Sequence, residues 1–301
     1  MLTSHQHFGR FSRVLPALEG PMKIVDTHQH LWDKDLFHYA WLQPLPSLDR
    51  SFRLNHYSDA TRRLEIEKTV FVECDVDEAQ VMDEALHVLR LADDASNRIA
   101  GVVASGRPEK DGFEASLDKV ATQPKLKGIR RILHTHPDEL GQGKMFIGNV
   151  ARLATYGLSF DICVLARQLP VAINLVSKCP DVTFVLDHCG VPDVKGQILE
   201  PWREHIRELS RLPNVSCKIS GLVAYANPAN WAAEDLRPFV AHVIESFGWD
   251  RVMFGSDWPV CNLTASYQKW VATLLSLTHT AGEANQRKLF HDNAIRIYRL
   301  N

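Results

Sequence analysis

The chain has 301 residues, 45% of them hydrophobic and 23% charged, with 34 Lys and Arg against 36 Asp and Glu for a net charge of -2. That length fits one large domain or two small ones, and the balanced charge argues against a nucleic-acid-binding protein, which usually carries a basic excess. Mean hydropathy is -0.17, and no apolar run reaches the ~18 residues that a membrane span needs.

The six cysteines (Cys74, Cys163, Cys179, Cys189, Cys217 and Cys261) include no C-x-x-C pair. Zinc-ribbon and thioredoxin-type motifs are therefore excluded. A chain this long builds its core without disulfides, so the thiols read as reduced packing residues of a cytoplasmic protein. Residues 1–21 hold neither a continuous apolar segment nor a small-residue cleavage site. They make a poor secretory signal and read as an extension outside the core, His5 and His7 included. Residues 22–301 contain no linker, low-complexity stretch or repeat, and read as one domain.

Eight short apolar runs rich in Val and Ile follow in chain order. They are Lys23–His28, Lys68–Asp75, Ile99–Ser105, Lys127–His134, Gly157–Val164, Val182–His188, Asn214–Ser220 and Arg251–Asp257. Such runs suit strands buried on both faces of a parallel sheet. Helical patterns lie between them. Asp77–Ala95 places Val81, Ala85, Val88, Leu89 and Ala92 on one face, and Leu169–Ser177, Pro201–Ser210 and Pro238–Phe247 each read as helices. Eight strand–helix units in ~270 residues predict an α/β fold of the (β/α)8 (TIM) barrel type. An open doubly wound sheet would need a Gly-rich turn after the first strand. Asp26-Thr-His-Gln-His30 stands there instead.

Ionisable residues recur at the carboxyl ends of these runs: His28, His30, Glu73, Arg130, Asp161, His188, Lys218 and Asp257. A barrel gathers these ends on one rim, where active sites of this fold are built. His28 and His30 lie at i and i+2 of a strand and so share a side, as two ligands of one divalent ion would. Without a metal they would be hydrogen-bonded histidines lining a pocket. Asp257 follows the eighth strand, the neighbour of the first in a closed barrel, and suits a metal ligand or a proton acceptor for an attacking water. His188 suits an acid–base role or a third histidine ligand. Glu73 suits a further ligand or a residue that orients one, or else an ion pair with Arg130. Arg130 and Lys218 suit a substrate carboxylate or a developing oxyanion, or else internal pairs with Glu73 or Asp161. Trp32, Trp41 and Trp258 are placed to stack on or cover a ring. His134 and His136 follow the fourth strand and are placed for substrate contact.

The runs Val25-Asp-Thr-His-Gln-His-Leu-Trp32, Lys127-Gly-Ile-Arg130, Leu186-Asp-His-Cys-Gly190, Cys217-Lys-Ile-Ser-Gly-Leu222 and Met253-Phe-Gly-Ser-Asp-Trp-Pro-Val260 together resemble the amidohydrolase superfamily, from about Met22 to the chain end. The resemblance is greatest to the amidohydrolase-2 branch that holds sugar-lactone hydrolases, among them fuconolactonases and rhamnonolactonases. It implies a distorted (β/α)8 barrel with at most one metal at the rim, and His28, His30 and Asp257 as the matching site positions. Two-metal members carry a carboxylated lysine on the fourth strand, where this chain has Arg130 and Arg131. Decarboxylases of the branch often carry a histidine on the fifth strand, where this chain offers Asp161.

The expectation is a hydrolase that opens the cyclic ester of a sugar-acid lactone, with one divalent ion (Zn or Mn) or by a metal-free route. Asp257 and His188 would be catalytic. Arg130, Lys218 and Trp32 would hold substrate, and His28, His30, Glu73 and Asp257 would ligate the ion. The alternatives are a metal-dependent decarboxylase of an unsaturated or aromatic acid and a silent barrel that binds a small acid. The partner expected is a small-molecule lactone, with neither nucleic acid nor membrane; a homo-oligomer is left open.

Overall fold

The computed structural model describes residues 22–300, and the expected extension lies outside them. Eight strands form one parallel sheet in sequence order. They are β1 (Lys23–Gln29), β2 (Glu65–Val72), β3 (Ile99–Ser105), β4 (Leu126–Ile132), β5 (Ser159–Cys163), β6 (Thr183–Leu186), β7 (Val215–Ile219) and β8 (Val252–Phe254). All eight expected runs are strands, and helices separate them as a (β/α)8 barrel requires. Strand β8 has only three residues, and the β1–β2 pairing shifts register twice. The barrel is thus nearly closed rather than regular.

The seam between β8 and β1 is closed beyond the end of β8. Asp257 N donates to His28 O at 2.9 Å, and His30 N donates to Trp258 O at 2.8 Å. Asp26 fastens the same seam from within. Its carboxylate accepts from Ser256 N (2.8 Å), Ser256 Oγ (2.6 Å), Tyr57 OH (2.9 Å), Tyr267 OH (3.1 Å) and His28 N (3.1 Å). A buried carboxylate is stable only when its lone pairs are filled in this way. Gly255 lets the strands approach, because a Cβ there would come within 2.8 Å of His28 Cβ.

Strand alternation sorts the interior. Ile129, Phe160, Leu186, Cys217 and Phe254 join the outer core under the helices. Val25, Val70, Val72, Val103, Val185 and Met253 face inward and pack against Ala294, Ile297 and Tyr298 of the C-terminal segment, which seals one end of the barrel. Above that apolar layer the inward positions become charged: Arg130, Asp161, Asp187 and Lys218, all buried.

Helices follow the expected patterns, with two differences in start; the one expected from Asp77 opens with a 3-10 turn over Glu78–Gln80 and becomes α-helical at Val81. Val81–Asp93 buries Ala85, Val88, Leu89 and Ala92, with Glu84 beside them. The helix expected from Pro238 begins at Ala233 instead, with Pro238 inside it. Asp235 Oδ2 accepts from Ala232 N at 2.8 Å. That cap starts the helix a turn and a half before the proline, whose missing N–H leaves the Glu234 carbonyl without its usual i+4 donor. Among the described residues no helix is long and apolar enough to cross a membrane. All six cysteines are buried and free.

Candidate active site

His28 leaves β1 with both ring nitrogens engaged. Its Nδ1 lies 3.3 Å from Asp187 Oδ1 and 3.3 Å from Lys218 Nζ. Its Nε2 lies 3.1 Å from His30 Nε2. Burial, helped by the Lys218 and His188 charges, holds His28 well below the usual histidine range, against the pull of Asp187. The ring is therefore neutral at neutral pH. Its Nε2 faces the rim, with Arg130 Nη1 3.4 Å away. In His30, Nδ1 is 2.8 Å from Val72 O, so that nitrogen carries the proton and Nε2 is free.

Asp257 completes the group. Its Oδ1 is 3.4 Å from His30 Nε2, 3.9 Å from His28 Nε2 and 4.0 Å from His188 Nε2. No Lys or Arg pairs with it among the described residues. His188 is fixed by Ser220 Oγ, 2.9 Å from Nδ1, which also accepts from His188 N at 3.2 Å. Gly221, at φ +68°, leaves room for that ring, since a Cβ there would sit 2.6 Å from His188 Nδ1. Burial lowers the His188 pKa, with Asp257 and Asp187 acting the other way.

The backbone around these groups is strained. His188, Cys189, Val191 and Asp257 take φ of +53°, +55°, +47° and +56°. Left-handed backbone is uncommon for any residue with a Cβ and an outlier for valine. Each such residue costs about 1–3 kcal/mol and persists where the surroundings impose it, often at a functional site.

An ion-pair layer supports the histidines from below. Arg130 Nε donates to Glu73 Oε1 at 2.7 Å, and its Nη1 lies 3.2 Å from Asp187 Oδ2. Lys218 Nζ lies 2.6 Å from Asp161 Oδ2 and 3.0 Å from Asp187 Oδ1. Tyr298 OH donates to Asp161 Oδ2 at 2.6 Å. Burial works against charge on Asp187, but Lys218, His28 and Arg130 overcome it and hold the carboxyl well below its usual range. Asp187 is thus the hub that links His28 to both cations. Sequence reasoning passed over it, although it adjoins His188 at the end of an apolar run.

Three of the expected site residues are engaged away from the His28, His30 and Asp257 group in this arrangement. Glu73 does not join the His28, His30 and Asp257 group; its Oε1 accepts from Arg130 Nε and its Oε2 from Asp75 N at 2.8 Å, the ion-pair alternative. Lys218 is wholly buried beneath His28 and is not among the residues that line the pocket, which favours the internal ion pair over substrate contact. Trp32 is buried under Trp41, ring centroids 5.4 Å apart, and donates to Arg50 O at 2.7 Å. Trp258 packs against Phe52 and Tyr57 in the same way. Of the three tryptophans only Trp41 lines the pocket.

The pocket above this layer has a volume of about 300 Å³, at the small end for a ligand site. His30, Arg130, His134, His188 and Asp257 all line it, with Asp75 and Tyr225 near its mouth, whereas His136 does not. His134 is pushed down to about 4, by burial first and then by the Arg130 and His188 charges. Its Nδ1 lies 3.3 Å from Cys163 Sγ. His28, His30 and Asp257 offer one ligand atom each within 4.8 Å of one another. The Nε2 atoms of both imidazoles face this group, and His30 Nδ1 is held by the Val72 carbonyl, the outer-shell pattern of a metal-binding histidine. The donor set fits one divalent ion.

A model of the amidohydrolase family matches residues 25–300. The chain belongs to this family of hydrolases. An uncharacterised protein of Sinorhizobium fredii is 28% identical over 295 residues, covering 92% of this chain and 98% of that protein. An L-fucono-1,5-lactonase of Burkholderia multivorans is 32% identical over 300 residues, covering 92% and 96%. The crystal structure of an amidohydrolase from Burkholderia multivorans with bound Zn is similar, at TM-score 0.84 and 30% identity, covering 92% of this chain and 99% of that one.

Proposed function

We propose that the protein is a lactonase that opens the ring of a sugar-acid lactone by attack of water on the ester carbonyl. The observation that carries this reading is the state of Asp257. Its carboxyl group lies on the pocket wall among imidazole nitrogens, with no Lys or Arg paired to it among the described residues. Such a group can take a proton. The lactonase named among the relatives supports the ester class of substrate.

Asp257 accepts a proton from the attacking water. The water oxygen bonds to the acyl carbon, and the bond from that carbon to the ring oxygen breaks. Asp257 then gives that proton to the departing ring oxygen. The product is a hydroxy acid, which ionises and releases one proton. Arg130 lines the pocket with Nη1 3.4 Å from His28 Nε2, where a guanidinium stabilises negative charge developing on the carbonyl oxygen. A divalent ion, zinc or manganese, held by His28, His30 and Asp257 would supply Lewis-acid polarisation of the same carbonyl.

A pH-indicator screen of aldono-1,5- and 1,4-lactones tests the reading. The expected result is one proton released per ester opened, with no gas. Release of CO2 from an unsaturated or aromatic acid, or inertness toward every lactone, would overturn it.

The metal assignment has its own test. Replacing His28 and His30 together by Ala should remove bound metal while the circular dichroism spectrum stays that of the folded barrel. Undiminished metal content in the folded double variant would place the ion elsewhere.

A further inference from the structure

We propose that Asp75 selects the substrate: its carboxylate accepts hydrogen bonds from ring hydroxyls of a neutral lactone and excludes lactones that bear a second acid group. This inference rests on the lactonase reading and names the class of lactone.

Asp75 lies just beyond β2 and lines the pocket together with Trp41, Arg130 and Tyr225. Its backbone is left-handed, at φ +51°. Glu73 Oε2 holds that geometry by accepting from Asp75 N at 2.8 Å. The strain is thus maintained by the same Glu73 that anchors Arg130. The other acidic groups of this layer are taken up: Glu73 by Arg130, Asp161 by Lys218, and Asp187 by both. Asp75 has no hydrogen-bonded or ion-paired side-chain partner among the described residues. Burial and the Glu73 charge push its carboxyl above the usual aspartate range, as for an acceptor short of donors.

The cations nearby do not offset it. Arg130 is already shared between Glu73 and Asp187. Arg131 points away and pairs with Glu109, and Arg107 donates to Ser105 Oγ and Gly106 O; neither lines the pocket. Two acidic residues, Asp75 and Asp257, therefore line the pocket with no ion-paired cation among the described residues. A carboxylate offers about four acceptor sites and suits a pair of hydroxyls. Tyr225 OH, without a hydrogen-bond partner among the described residues, adds a hydroxyl that can donate or accept, and Trp41 supplies an apolar wall. An anionic lactone would meet like charges instead. Ring opening turns a neutral molecule into a carboxylate, so the same charges favour release of product.

Two variants test this. Asp75→Gly removes the acceptor at a backbone angle that glycine takes freely, and Asp75→Asn removes the charge at an angle that asparagine tolerates. With Asp75→Gly, kcat/KM for an aldono-1,5-lactone should fall at least about tenfold, mainly through KM, while δ-valerolactone, which has no hydroxyls, changes less than about twofold. With Asp75→Asn, the ratio of kcat/KM for a lactone carrying a second carboxylate to that for the neutral lactone should rise at least about fivefold. Calorimetric binding of the matching neutral pyranose, which has the hydroxyls but no ester, should weaken at least about tenfold in Asp75→Gly. Equal losses on the hydroxylated and bare lactones, an unchanged ratio in Asp75→Asn, or pyranose binding indifferent to Asp75→Gly would overturn the role of Asp75. Pyranose binding that depends on Asp75, in a protein that opens no lactone, would overturn the lactonase reading alone. Absence of both binding and turnover in the wild type would overturn the two together.

Discussion

Asp257→Asn is expected to lower kcat at least about a hundredfold, within the 10² to 10⁴ usual for loss of a general acid–base group. The substitution keeps size and polarity but removes the proton acceptor. It is also compatible with the fold. Asp257 sits at φ +56°, and asparagine is among the few residues that adopt left-handed backbone readily. The Asp257 N bond to His28 O, which closes the barrel seam, belongs to the backbone and is retained. KM should change less than about threefold, because the interaction lost acts in the transition state. Metal content measured on the same preparation separates loss of the base from loss of the ion. Near-normal turnover by folded, metal-replete Asp257→Asn would move the base to His188, whose Nε2 lies 4.0 Å from Asp257 Oδ1, and leave Asp257 as a ligand or structural residue.

Lys218→Met should act on stability before it acts on substrate. Lys218 is fully buried and stands between Asp161 and Asp187, 2.6 and 3.0 Å from their oxygens. Burial alone would lower its pKa, but the two carboxylates reverse the direction, so the ammonium is retained. Met fills much of the same volume yet leaves two buried carboxylates short of a cation. Breaking such a pair from one side costs about 3–5 kcal/mol, readable as a lower urea midpoint. Adding Asp161→Asn to Lys218→Met should recover part of the loss, because it removes one of the stranded charges; the double-mutant cycle measures that coupling. A Lys218→Met protein that stays within about 1 kcal/mol of wild type and shows a raised KM would instead place Lys218 in contact with substrate.

The barrel was legible in the sequence because a buried parallel strand must be apolar on both faces, and eight such runs alternate with helical patterns. The rim was legible for a related reason. Charge is costly inside such strands, so His28, His30, Arg130, His188, Lys218 and Asp257 stand out against Val and Ile. Residue type and strand end were enough to gather them, and the i and i+2 spacing was enough to pair His28 with His30. Depth and partnership were not legible, because they depend on which strands become neighbours and how far each side chain reaches. For Lys218 the residue type and strand position allow an internal ion pair as well as substrate contact. Only the closed barrel, which sets β5, β6 and β7 side by side, placed Asp161 and Asp187 around its ammonium. Trp32 and Trp41 share a residue type and a loop, yet only packing decided that one lies under the other. Asp26 carries no local signal beyond its motif, since three of its five donors arrive from residues 230 or more positions away. Periodicity is a property of neighbours along the chain, whereas the pairing of buried charges is a property of neighbours in space.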